Sequence, residues 1–215
     1  MHMKQIQKIS IIVPFHNEAE NLPELLKQLE HEFKTTISSH YESLEHEIVL
    51  VDDGSLDQYR SGIEDYLKLP NIILVKMGRQ MGKGKALNAG IRESTGDALV
   101  FMDADLQDDP KDLKTFIEKI LQGYDLVNGV RFDRQDTTLV KIYSRAARWF
   151  LKNYLNSPFT DINCGFKMFR RTLLNDIAIY GNNFRFFPLA AFYEGYKVTE
   201  IDVHNHPRLH GKSKY

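Results

Sequence analysis

The sequence predicts one α/β domain built on a mostly parallel sheet flanked by helices. Three observations carry that prediction. Short apolar, β-rich runs alternate with helical stretches along the first 130 residues. Carboxylate-rich turns follow several of these runs, at the strand ends where open α/β sheets place their ligands. With 215 residues, 42% apolar and 27% charged, the chain fits a single core of ordinary composition.

Taken in order, residues 9–13 form a β-rich run stopped by Pro14 and followed by Phe15-His16-Asn17-Glu18. A helix is expected from Asn21 as N-cap, with Pro23 and Glu24 in its first turn, to about residue 37. The next strand, 47–51, ends in the turn sequence Asp52-Asp53-Gly54-Ser55. A short helix near 57–67, a strand at 72–76, a loop at 77–82 and a helix at 83–93 follow. The apolar run 98–102 reads as a buried strand, and Asp109 and Pro110 suit the N-cap and first position of a helix reaching residue 122. A strand at 126–130 completes the alternation. Beyond Arg131, residues 139–155 read as an amphipathic helix with Lys141, Arg145, Arg148 and Lys152 on one stripe beside Trp149 and Phe150. That pattern suits either a membrane interface or a solvated face. Late strands are expected at 163–169 and 197–203, and 204–215 reads as a basic loop.

The chemistry concentrates at 101–109. Asp103 and Asp105 stand at the carboxyl end of a strand, and an extended backbone points both the same way. A hard divalent cation relieves their repulsion, with Gln107 as a third oxygen ligand. Helix capping explains Asp109 and leaves the other two acids unexplained. An EF-hand loop is excluded by Asp108 and Lys114 at its sixth and twelfth positions. An aspartyl-phosphate phosphatase usually has Thr or Val where Gln107 stands. The loop 78–85 is basic and glycine-rich, but Arg79 and Ala86 deny a Walker A motif and the spacing of a dinucleotide fold is absent. It can still approach a diphosphate closely. His204, His206 and His210 have no nearby Cys to complete a zinc site, and Cys164 reads as buried packing.

Composition narrows the class further. One cysteine excludes a disulfide framework and suits a reducing compartment. Residues 1–7 are polar and the apolar run after them is too short for a signal peptide; no apolar stretch of membrane-spanning length follows. Residues 1–130 carry 14 Lys and Arg against 22 Asp and Glu, whereas residues 131–215 carry 14 against 7. A basic second half implies phosphate groups or a membrane surface as partner, unless the halves simply neutralise each other. No nucleic-acid partner is expected, and the sequence is silent on oligomeric state.

Four segments together resemble the family 2 glycosyltransferases: Ile12-Val13-Pro14-Phe15-His16-Asn17-Glu18, Val51-Asp52-Asp53-Gly54-Ser55, Gly82-Lys83-Gly84-Lys85-Ala86-Leu87-Asn88 and Met102-Asp103-Ala104-Asp105. Within that family, Asp105-Leu106-Gln107, the segment 161–167 and the tail 207–215 look like the polyprenyl-phosphate sugar synthases. The resemblance implies a GT-A, Rossmann-like single domain over 1–215, with a nucleotide-sugar half at about 1–130 and an acceptor half at about 131–215. It implies an inverting transfer from a UDP- or GDP-linked sugar to a polyprenyl phosphate. The alternatives are a family 2 enzyme acting on a sugar hydroxyl and, in another class, a nucleotidyltransferase. On this resemblance Pro14, Asn17, Glu18, Asp52, Asp53, Gly54, Lys85, Asp103 and Ala104 would bind the nucleotide sugar. Asp105 and Gln107, with Asp103, would hold Mg²⁺ or Mn²⁺. Asp103, Asp105, Arg131, Arg145 and Asp161 form the expected catalytic set, and Arg145, Arg208, Ser213 and Lys214 would meet the acceptor phosphate. The chain lacks the Glu-Asp pair that many members carry as a base in the second half; an ionised lipid phosphate needs none. Such proteins often continue into membrane helices, so a membrane segment beyond residue 215 and a place at the cytoplasmic membrane face are expected.

Overall fold

The computed structural model describes residues 6–131 and 157–208. Seven strands form one sheet: β1 Lys8–Phe15, β2 Glu45–Asp52, β3 Ile72–Lys76, β4 Ala98–Phe101, β5 Leu126–Arg131, β6 Lys167–Arg170 and β7 Val198–Val203. Their spatial order is β3-β2-β1-β4-β6-β5-β7. All neighbours are parallel except β6, which runs against both β4 and β5. The helices are α1 Leu22–Glu32, α2 Ser38–His40, α3 Tyr59–Ile63, α4 Lys83–Glu93, α5 Leu113–Leu121 and α6 Phe187–Tyr193.

Burial on both faces explains why the central strands read as continuous apolar runs rather than alternating ones. Along β1, Ile9, Ile11, Val13 and Phe15 join one core with α1 and α5, while Ile12 joins the other with α4 and α6. In α1 the buried leucines, Leu22, Leu25, Leu26 and Leu29, fall at spacings of three and four, as do Leu113, Phe116, Ile117 and Ile120 in α5. Each such side chain contributes roughly 1.5–3 kcal/mol when fully buried.

Several expected elements end differently. The helix expected to reach residue 37 ends at Glu32 and continues as a π-helical turn, Phe33–Ile37, because Ser38 hydrogen-bonds Phe33 five residues back, its hydroxyl at 2.6 Å from the carbonyl. Asn21 stands at the N-cap position, but its side chain donates to Glu18 instead of capping the helix. The helix expected at 57–67 shrinks to α3 plus a 3₁₀ turn, Tyr66–Lys68, since only Tyr59 and Ile63 of α3 are buried. The strand expected at 163–169 begins only at Lys167, because a turn from Asp161 to Cys164 carries 163–165 out of the sheet. Asp109 and Pro110 do start a helix, first as the 3₁₀ turn Pro110–Asp112 and then as α5, with the Asp109 carboxylate accepting from the Lys111 amide at 3.0 Å. The amphipathic stretch 139–155 lies outside the described residues.

Candidate active site

Three adjacent parallel strands, β2, β1 and β4, deliver their carboxyl ends to one edge, with Phe15 in register with Asp52 and Ile12 with Phe101. The reversed strand β6 starts where β4 stops, Lys167 lying opposite Phe101, so the 163–165 turn comes down beside Asp103. A Cβ on Gly165 would fall 2.8 Å from Asp103 Oδ2, so a larger residue there would have to push the carboxylate aside. A cleft of about 400 Å³ results, bordered by Pro14, Phe15, His16 and Glu18 on one side and by Arg131, Asn163, Gly165, Phe184 and Arg185 on the other. Asp103, Ala104, Asp105, Gln107, Lys83 and Arg208 form its middle.

The acids are crowded. Burial first, then Asp103, raises the Asp105 pKa, against the opposing pull of Arg208. Asp108, wholly buried next to them, is pushed up to about 7 by burial, Asp103 and Asp105. Lys83 Nζ donates to Asp103, and Arg208 donates to Asp105 Oδ2. The turn that carries the acids is strained: Leu106 adopts a φ of +60°, a left-handed conformation that costs a leucine of order 1–3 kcal/mol. This bend lets the Gln107 amide donate to Asp105 Oδ1 at 3.2 Å. The Gln107 side-chain nitrogen donates to the His206 carbonyl at 3.3 Å, which leaves its amide oxygen available as a donor atom to a cation. Two carboxylates and an amide oxygen on one strained turn are a hard oxygen set that fits Mg²⁺ or Mn²⁺. Asp103 and Asp105 are each met by one cationic side chain, Lys83 and Arg208 respectively.

The flanking loops are fastened by the other predicted polar residues. Asp53 accepts from the Met81 and Gly82 amides at 2.7 and 2.9 Å, and Asp52 from the Ser55 amide and Tyr59 hydroxyl at 2.7 and 2.8 Å. Asn17, at a φ of +54°, accepts from the Leu56 amide at 2.7 Å. A Cβ on Gly54 would fall 2.4 Å from the Gln80 amide nitrogen, so glycine lets these two loops touch. Asn17, Asp52, Asp53 and Gly54 thus shape the rim, while Pro14, Glu18, Asp103 and Ala104 line the cleft. Lys85 is exposed on α4, and Lys83 enters instead. Two residues on a helix lie about 200° apart. The signal was present, because Lys83 precedes the buried Ala86 and Leu87 by three and four residues and shares their stripe.

On the far side Arg131 grips Asp161 through Nε and Nη2, at 2.9 and 3.0 Å. Burial disfavours the Arg131 charge, but the paired Asp161 outweighs it and raises its pKa. Beneath them, the fully buried Lys167 donates to Asn128 Oδ1 at 3.0 Å and to the Ile162 and Cys164 carbonyls. It ties the 161–165 turn to β5. Cys164 is core packing, 1% exposed, its thiol pushed up to about 12 by burial. After β7 the chain runs along the acid turn: the His206 amide donates to the Gln107 carbonyl at 2.8 Å, His204 binds Asp112 at 2.8 Å, and His206 lies 3.1 Å from Asp109. Of the three histidines that lacked a zinc partner, His204 and His206 fasten the arm that presents Arg208, and His210 lies outside the described residues. Among the described residues no His, Cys, Asp and Glu side chains assemble into a metal cluster of three. Arg145, Ser213 and Lys214 lie outside the described residues. Sequence reasoning passed over Lys83, Phe184 and Arg185; the last two sit in a 3₁₀ turn with no motif to mark them.

This sheet order, with one reversed strand and an acid turn after β4, defines a GT-A type α/β domain. The chain belongs to glycosyl transferase family 2, whose model matches residues 10–178. It is 34% identical over 99% of its length to an undecaprenyl-phosphate 4-deoxy-4-formamido-L-arabinose transferase of Enterobacter sp. (strain 638), and 34% identical over 98% to that of Pseudomonas fluorescens (strain SBW25). It spans 64% and 60% of those relatives' lengths. Mannosyl-3-phosphoglycerate synthase from Rubrobacter xylanophilus superposes with a TM-score of 0.74 at 16% identity, over 94% of this chain and 68% of that one. Glucosyl-3-phosphoglycerate synthase from Mycobacterium tuberculosis, crystallised with Mn²⁺, UDP and phosphoglyceric acid, gives 0.71 at 17%, over 94% and 72%. These structural likenesses establish the shared fold. No helix among the described residues is long and apolar enough to cross a membrane.

Proposed function

We propose that this chain is the catalytic domain of an inverting, metal-dependent transferase that moves a sugar from a nucleotide donor to a polyprenyl phosphate. The observation that carries the reading is the pairing of the cleft's aspartates. Asp103 faces Lys83, Asp105 faces Arg208 and Asp161 is held bidentate by Arg131. A hydroxyl acceptor needs a carboxylate poised to take its proton. A phosphate acceptor arrives ionised and needs cations instead, which this cleft supplies. The relatives named for undecaprenyl phosphate support the same acceptor class.

In this reading the residues bordering Pro14, His16 and Glu18 receive the base and ribose, with the loops fastened by Asn17, Asp52 and Asp53 closing the rim. Asp103, Asp105 and Gln107 hold Mg²⁺ or Mn²⁺, which supplies Lewis-acid neutralisation of the departing diphosphate when bound. Lys83 adds a fixed cation beside the same oxygens. An acceptor phosphate oxygen forms the new bond to the anomeric carbon as the bond to the diphosphate breaks, and no proton changes hands. Arg131 stabilises the phosphate charges, with Asp161 orienting its guanidinium. The amino-terminal half, 1–130, serves the donor, and the basic remainder serves the acceptor and an anionic membrane face.

The test compares a short prenyl phosphate with the corresponding prenol, using a nucleotide sugar selected by thermal shift with and without Mn²⁺. Turnover of the phosphate is expected, with release of nucleoside diphosphate. Arg131→Gln should lose on the order of 10²–10³-fold in rate, as removal of one preorganised charge-stabilising donor does. Asp161→Asn should lose far less. Turnover of the prenol with a severe Asp161→Asn defect would overturn the proposal, and release of pyrophosphate would place the enzyme among nucleotidyltransferases.

A further inference from the structure

Among the described residues, the cations lining the cleft are matched to carboxylates with one exception. Lys83, Arg131 and Arg208 each face an aspartate. Arg185 also lines the cleft, is exposed, and meets no carboxylate among the described residues; its guanidinium carbon rests 5.8 Å from the centre of the Phe184 ring.

The segment carrying Arg185 is anchored. Phe184 is buried, with Lys83 Nζ 5.4 Å from the centre of its ring. The Asn183 side chain accepts from the Tyr180 amide at 2.7 Å and donates to the Ala178 carbonyl at 2.9 Å. Asn88 of α4 donates to the Ile179 carbonyl, and Gly84 meets Gly181 so closely that a Cβ would fall 1.5 Å from its carbonyl oxygen. The glycine at 84 is thereby explained by docking of the segment that aims Arg185. An arginine held against an aromatic face, its N–H donors unspent on protein carboxylates, is prepared for bidentate recognition of a phosphate.

Which phosphate it takes follows from charge. The donor diphosphate belongs with the cation-binding acids and Lys83. A second phosphate brought into the same cleft repels the first and requires a countercharge of its own, and among the described cations lining the cleft Arg185 is the one not already opposed by a carboxylate. We infer that Arg185 is an acceptor-binding residue that receives the phosphate of the prenyl phosphate. The assignment rests on the function proposed above.

The experiment uses Arg185→Gln and Arg185→Lys with farnesyl phosphate, farnesol and the nucleotide sugar selected by thermal shift, and it adds titration with UDP and GDP. Melting temperature serves as the fold control. For Arg185→Gln, KM for farnesyl phosphate should rise about 10- to 100-fold, the range for losing a hydrogen bond to a charged group. Donor KM and nucleoside diphosphate affinity should stay unchanged, and Arg185→Lys should recover part of the loss. With wild-type turnover of farnesyl phosphate intact, an unaltered acceptor KM in Arg185→Gln overturns the assignment. Weakened nucleoside diphosphate binding with an unaltered acceptor KM overturns it as well, by moving Arg185 to the donor. A wild-type enzyme that uses farnesol and ignores farnesyl phosphate strikes down the proposed function itself, and this assignment with it.

Discussion

Asp105 is where burial, a like charge and a guanidinium meet. Desolvation and Asp103 both favour its protonated form, and Arg208 keeps the ionised form within reach. Replacing this carboxylate with an amide removes the negative charge proposed to hold the cation and relieves the repulsion together. Asp105→Asn is therefore expected to lose measurable turnover and Mn²⁺ binding, followed by calorimetric titration, while its melting temperature stays level or rises. Full wild-type activity in excess chelator would refute the metal assignment. Part of this was legible in the sequence: two acids after an apolar run point to strand-end chemistry in any α/β chain. Lys83 was legible too, through its place on the buried stripe of α4, although its neighbour Lys85 drew the attention. Arg185 was not, because its position depends on how Gly84 meets Gly181, a contact made across 97 residues of sequence.

At the scale of elements, the amino ends of the strands are fastened as deliberately as the carboxyl ends are left open. Glu47 on β2 is 3% exposed; its carboxylate accepts from Ser10 of β1 at 2.7 Å and from Thr95 Oγ1, before β4, at 2.9 Å, and pairs with Lys8. Burial alone would raise its pKa, but Lys8, Ser10 and Thr95 together hold it down at about 2. A depressed carboxylate contributes stability above its unfolded value, lost as pH falls from about 4.5 toward about 2. Glu47→Gln should cost about 2–3 kcal/mol at pH 7. It should also lose stability less steeply than the wild type over that acid window, as read from urea unfolding at a series of pH values. Most elements were readable from apolar runs and Pro or Asn punctuation. Those that were not depend on contacts that apolar pattern does not report: the π-turn after α1 answers to the local bond from Ser38 to Phe33, and β6 owes its reversal and late start to the turn at 161–165.

Across the whole molecule, the acidic first half supplies the turn, and residues 204–208 of the basic second half run back along it. The link is the arm after β7, fastened by His204 on Asp112 and by His206 on Gln107 and Asp109, and ending at Arg208 on Asp105. A cation placed on Asp105 Oδ2 would compete with that guanidinium. Arg208→Gln should accordingly bind Mn²⁺ several-fold more tightly by calorimetric titration, yet turn over more slowly because a phosphate-directed charge is gone. Equal or weaker Mn²⁺ affinity would show that the two do not compete. Competition of this kind is reciprocal: whatever factor the arm takes from cation affinity, the cation takes from the arm's hold on the cleft. Under the proposed function, a metal brought in with the donor would compete with Arg208 for Asp105 and so free that guanidinium for the acceptor. The arm after β7 would then couple the two substrates, the binding of each favouring the entry of the other.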